Sequence, residues 1–157
     1  MIEYHIHKYL ADEDVIDGNG YVAFRPDTND TMLSIYSETA PPQQDTHHFD
    51  SDMIGVHILF RGENTQEVVN LARKTHRTIS GLGSLEITHN GETVNIVDTN
   101  VQTPPSFLER DEKNRVEMTA HYYMRVNIGG NLYRKMDRTY NPAMVNPGFP
   151  YILDFEL

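Results

Sequence analysis

From Val116 to Asn127 the chain alternates without a break: Val116, Met118, Ala120, Tyr122, Met124 and Val126 fall on one side of an extended backbone, while Glu117, Thr119, His121, Tyr123, Arg125 and Asn127 fall on the other. Period two sustained over so long a stretch specifies a β-strand. At about 3.3 Å per residue it runs on the order of 40 Å, enough to cross a whole sheet, so it is the expected central strand. Ahead of it, Arg110-Asp111-Glu112-Lys113-Asn114-Arg115 is too charged to bury. With Phe107 and Leu108 on its far side, this stretch reads as the tip of a β-hairpin pointing into water or towards a partner.

The remaining elements follow from local chemistry. Ile2, Ile6, Tyr9 and Leu10 share a helical face, which predicts a short amphipathic helix over residues 2–11. Residues 21–25 and 31–37 read as two strands joined by a Pro26-Asp27-Thr28-Asn29-Asp30 turn, a first hairpin. Residues 39–52 hold two prolines, two histidines and three aspartates with almost nothing apolar, a long polar loop. Ile54, Val56, Ile58 and Phe60 alternate through a strand over 53–61. Asn64 can then cap a helix and Glu67, three residues on, would complete a capping box; Val68, Leu71, Ala72, Thr75 and Ile79 keep helical spacing, and Gly81 or Gly83 would stop it. Asn90-Gly91 between two alternating runs is the strongest short hairpin signal. Pro104 and Pro105 confine residues 101–105 to an edge segment, a bulge or a crossover.

A chain of 157 residues is large enough for one self-sufficient core. The absence of cysteine excludes disulfides, thiolate metal sites and a cysteine nucleophile. The charged opening, and the lack of an apolar run of membrane length, predict a soluble chain without a secretory signal or a membrane span. Thirteen basic residues against 23 acidic leave a formal charge of −10, the wrong sign for gripping phosphate backbones. The residues after Gly130 carry Tyr140, Met144, Phe149, Tyr151, Ile152 and Phe155 among prolines and glycines. Too apolar for a free tail and too broken for a helix, they are expected to pack on their own domain or a neighbour.

Enzymatic chemistry finds little support. Asp45, His47, His48, Asp50 and Asp52 form the one stretch dense enough to suggest a metal-dependent enzyme, but a polar loop does not hold ligands convergent or supply the hydrogen-bond partners that orient them. His5 and His7 lie two apart on a helix and face different ways. Gly81-Leu82-Gly83 lacks the third glycine and following helix of a dinucleotide fingerprint. No catalytic residue, metal or cofactor is expected.

Three stretches, GYVAFRPDTNDTMLSIYSETAPP, IGVHILFRGENTQEVVNLARKTHRTISGL and PPSFLERDEKNRVEMTAHYYMRVN, occur in an order that resembles the tail terminator and minor capsid proteins of long-tailed bacteriophages. The likeness covers roughly residues 1–128, and its most specific parts are the strand running through Arg61-Gly62 into a helix and the phrase Phe107 to Glu112 leading to Arg115. Glu109 stands where the family usually has a small residue, and the end beyond Gly130 is longer and more aromatic.

The elements read along the chain make an α+β fold, with an antiparallel or mixed sheet carrying two helices, as a single domain over residues 1–130 with an extension over 131–157, and the family it resembles has compact α/β subunits. The resemblance implies a virion structural protein at the tail–head junction, assembled in the host cytoplasm as a six-fold ring. Such a ring stops tube polymerisation and contacts the tail tube protein and a neck or head-completion protein, while DNA passes through without specific binding. The alternative within structural proteins is a stopper or head-completion subunit. Phe107, Glu109, Arg110, Asp111, Glu112, Lys113 and Arg115 are the expected contact residues, although a solvated turn uses the same residue types. Asp45, Asp50 and Asp52 are candidates to line the channel.

Overall fold

The computed structural model describes residues 2–38 and 52–128. The polar loop with Asp45 and Asp50, the side chain of Asp52 and the 131–157 extension lie outside the described residues. Helix α1 (Ile2–Asp12) precedes strands β1 (Gly20–Val22), β2 (Met32–Glu38) and β3 (Asp52–Gly62); helix α2 (Thr65–Ile79) leads to β4 (Gly83–His89), β5 (Glu92–Arg110) and β6 (Val116–Ile128). They form one mixed sheet in the order β1-β2-β3-β6-β5-β4. The alternating strand is therefore central, antiparallel to β3 on one side and to β5 on the other.

Register explains why the sheet has one apolar face. Paired residues project to the same side, so Leu33-Phe60-Met118 and Ile35-Ile58-Ala120 make successive apolar rows. Both helices lie on that face: Ile2, Ile6 and Leu10 of α1, with Val68, Leu71, Ala72 and Ile79 of α2, share one core with those rows. Tyr122 is fully buried there, and its hydroxyl hydrogen-bonds His76 Nδ1 at 2.8 Å. Burial pushes its pKa up, which keeps the hydroxyl neutral. The two α1 histidines do diverge: His5 Nε2 donates to the Glu92 carbonyl and His7 Nε2 to that of Gly20.

On the second face, among the described residues, no helix covers the sheet. Here stand Arg61-Glu117, Leu59-Thr119 and His57-His121, each pair in register across β3 and β6. The imidazoles of His57 and His121 stack at 4.3 Å, 6° from parallel. Burial, then the neighbouring His121, lower the His57 pKa, so that ring stays neutral and the stack carries no repulsion at neutral pH.

The expected first hairpin is corrected. β1 runs parallel to β2, with Gly20 beside Leu33 and Val22 beside Ile35. The nine residues from 23 to 31 must carry the chain back along the strand, a connection shorter than parallel pairing usually needs. Ala23 turns with a φ of 52°, its N–H donating to the Ile35 carbonyl. Long-range donors then pin the loop: Ser34 Oγ to the Phe24 carbonyl, Arg61 to the Pro26 carbonyl and Asn19 Nδ2 to the Thr31 carbonyl. These anchors override the local turn signal.

Asn64 caps α2 as its sequence suggests, accepting the Glu67 N–H at 3.1 Å. The reciprocal half of the capping box is replaced: Glu67 Oε1 accepts from the Thr31 hydroxyl at 2.9 Å, tying the helix start to the entry of β2. Asn64→Ala is expected to lower unfolding stability by about 1 kcal/mol, read by urea titration. A smaller loss would mean that Thr31 and Glu67 already hold the terminus. Asn90 and Gly91, at φ values of 50° and 79°, form the expected turn between β4 and β5. Pro104 and Pro105 fall inside β5 at a register shift between Thr103 and Ser106, the bulge and edge position that their missing N–H groups require.

Candidate assembly surface

Two properties of β5 make its end distinctive. β4 pairs with β5 from Glu92 to Asp98 and no further, so residues 99–110 bond β6 on one side and, among the described residues, have no strand on the other edge. That open half carries Phe107 and Leu108, 57% and 55% exposed. Phe107 stands opposite Met118 and, with Pro105, borders a groove against Val69, Arg73, His76 and Arg77 of α2. At the other side of the sheet, just after β1, Phe24 is 58% exposed. The two sheet edges thus present different apolar groups to solvent.

The charged hairpin tip is built around the Asp111 carboxylate. Its Oδ1 accepts the N–H groups of Lys113 and Arg115, each at 2.9 Å, and Asn114 takes a φ of 61° to close the turn. Arg115 then grips the same carboxylate, with Nε and Nη2 both 2.7 Å from Oδ2. Its Nη1 reaches Asp27 Oδ1 and the Thr28 carbonyl, each at 2.8 Å, in the loop that carries β1 back to β2. Lys113 pairs with Asp27 as well. The tip is therefore strapped to the 23–31 loop across 88 residues of sequence.

Arg115 is only 5% exposed, as is Arg61 behind it, which lies 3.7 Å from Glu117 and 3.9 Å from Asp111. Five cationic and five acidic side chains line the resulting open cleft of about 590 Å³, so its formal charges cancel. Arg115 hydrogen bonds hold the Asp111 pKa down at about 2, and Lys113, then Arg115, depress that of Asp27. The Arg115 pKa rises in return, while burial and the neighbouring Arg115 and Arg25 lower that of Arg61.

A carboxylate whose pKa is depressed by folding stabilises the fold above its ordinary value of 3.8, and that contribution disappears as pH falls through the native value. Stability is thus expected to drop between about pH 4 and pH 2. In Asp111→Asn the slope across this window should be shallower, with Asp27 supplying the remainder. Urea midpoints measured every half pH unit check this, and an unchanged slope would remove Asp111 from the network.

The predicted contact residues therefore divide. Phe107, Glu109, Arg110, Glu112 and Lys113 are exposed, Asp111 is half-buried and Arg115 is buried under its own domain. Arg110 donates to the Asn114 carbonyl at 3.0 Å and Glu109 faces the cleft. Sequence reasoning missed Arg25, Asp27 and Arg61 as members of this cluster. Pro26-Asp27 announces a turn, but no local pattern announces that the turn folds beneath a hairpin tip so distant in sequence.

Fold and surface together give a small α+β domain with a strapped hairpin tip and, among the described residues, unlike apolar groups at its two sheet edges. The sequence matches the family described as "Bacteriophage tail terminator protein" over residues 9–128, and the chain belongs to that family. It is thus a structural protein of the phage tail. One solved structure, 11% identical, aligns over 78% of this chain and 92% of its own with a TM-score of 0.45. No curated protein matches the sequence. No helix among the described residues is long and apolar enough to cross a membrane.

Proposed function

We propose that this chain closes a ring, of six copies, at the head-proximal end of the tail tube, where it stops tube growth and meets the neck. The observation that carries this reading, beside family membership, is the pair of unlike edges. A ring needs a heterologous contact, in which one surface of a subunit meets a different surface of the next and the rotation closes. The open half of β5 with Phe107 and Leu108 is one such surface, and the β1 edge with Phe24 is the other.

In this arrangement Phe107 and Leu108 supply apolar burial, while Glu109, Arg110, Glu112 and Lys113 set register around them. Asp111 and Arg115 act indirectly, by holding the tip in place. Six copies would bring about 60 net negative charges together, so ring formation should strengthen with added salt. Acidic groups facing the channel, with Asp45, Asp50 and Asp52 as the candidates, would repel the DNA backbone and leave its passage free of binding. The 131–157 extension, rich in aromatic residues, packs on its own domain or on the adjacent subunit.

Adding the purified chain to polymerising tail tube protein of the same phage tests the proposal. Mean tube length is expected to fall as the ratio of chain to tube protein rises, with the chain at one end of each tube. Tubes that grow to the same length at every ratio would contradict it.

A further inference from the structure

We propose that Glu38, His57 and His121 form a binding site for a divalent transition-metal cation of the zinc class on the helix-free face of the sheet. The site is separate from the hairpin tip and does not depend on ring assembly. Its residues come from three adjacent strands, β2, β3 and β6, with His57 directly opposite His121 and Glu38 opposite Gly55.

Gly55 makes the arrangement sterically possible. A Cβ at that position would lie 2.8 Å from Glu38 Cγ and 2.9 Å from the Glu38 carbonyl oxygen. Without one, the glutamate side chain crosses β3 and brings Oε2 to 2.7 Å from His121 Nδ1. A simple His–Glu pair would account for that contact but not for a second imidazole stacked against the first.

One ligand atom from each of the three residues lies within 4.8 Å of the other two. Zinc bonds of about 2.0–2.2 Å in tetrahedral geometry set ligand atoms roughly 3.3–3.5 Å apart, so occupation turns the side chains while the strands stay paired, moving Glu38 Oε2 and His121 Nδ1 apart from their 2.7 Å contact and drawing any wider pair of ligand atoms together. Thr119 Oγ1 lies 2.6 Å from His57 Nε2 and 3.5 Å from His121 Nε2. This is the supporting partner that orients an imidazole in a metal site. With Nε2 held there, Nδ1 is the nitrogen left to coordinate; in His121 that atom donates to the Glu38 carboxylate when no cation is bound, and a cation takes the place of that proton, which moves to Nε2 on the Thr119 side. Two imidazoles and one carboxylate, completed by water, select zinc and its neighbours over magnesium or calcium, which take oxygen ligands. Bound metal would clip β2 to the centre of the sheet at its last residue.

The test is calorimetric titration of chelator-treated full-length chain with zinc chloride, alongside its thermal melt. One equivalent is expected to bind and to raise the melting midpoint. His57→Ala and His121→Ala should abolish binding, Glu38→Gln should weaken it, and Thr119→Val should weaken it about ten-fold. His47 and His48 are the obvious competing source of affinity, so the H47A/H48A variant should bind as the parent does. Binding that survives H57A/H121A, or disappears in H47A/H48A, would overturn the assignment. Should an alanine in a central strand prevent folding, nitrogen NMR of the imidazole rings in the unaltered chain decides. Zinc-dependent shifts at His57 and His121 support the site; shifts confined to other histidines, or none, refute it.

Discussion

Replacing Phe107 and Leu108 together by serine is expected to leave a folded chain that no longer assembles with itself. Both side chains are more than half exposed, so the isolated fold loses little from their removal, less than about 1 kcal/mol. In a ring they would be the apolar anchors of every contact. Truncating such an anchor costs about 2 kcal/mol or more, which weakens each contact about thirty-fold, and a closed ring contains that contact at every junction. Mass photometry, in salt sufficient to screen the acidic surface, should show rings for the parent and single subunits for the double variant, with matching melting midpoints. Rings from the double variant would place the contact elsewhere on the domain.

The second large effect is on stability. Arg115→Met keeps the aliphatic volume but removes the guanidinium that joins Asp111, Asp27 and the Thr28 carbonyl. Removing one partner of a buried charge network leaves the others desolvated and unpaired, which commonly costs about 3–5 kcal/mol. Asp27 is well exposed and recovers water, so about 2–3 kcal/mol is expected here. Arg115→Lys should recover only part of this loss, because an ammonium cannot reproduce a fork that bonds two carboxylates and a carbonyl. Urea unfolding measures both variants. A loss below about 1 kcal/mol for the methionine variant would show that the tip is not held by this strap.

The way these two residues are used shows where sequence is informative. Phe107 and Leu108 stand out locally, as apolar residues beside a charged turn, and the structure leaves them exposed. Arg115 belongs to a run that reads as solvated, yet it is among the most buried charges of the described residues, because its partners Asp27 and Thr28 arrive from the other end of the sequence. Charge density in a window says how a segment hydrates on its own. It does not say which member will find a distant partner.

The same division runs through the fold. The central strand, the Asn64 cap and the Asn90-Gly91 turn are legible because the cause of each lies within a few residues. The parallel pairing of β1 with β2 is not, since Arg61, Ser34 and Asn19 decide it from outside the loop. Likewise Glu117 and Thr119 alternate as the polar side of β6 but are buried beside β3, with Arg61 and His57 against them. Glu38, His57 and His121 lie 19 and 64 residues apart in the chain, and strand register alone brings them together.

The central claim is that this domain acts by shape, ending a tail tube and giving the neck its docking surface. Electron microscopy of lysates from phage lacking the gene, with and without the chain supplied in trans, tests it most directly. The account predicts tailless heads beside tubes of uncontrolled length, restored to uniform tails by the parent chain but not by the Phe107/Leu108 serine variant. Intact virions with normal tails in the absence of the chain would contradict it.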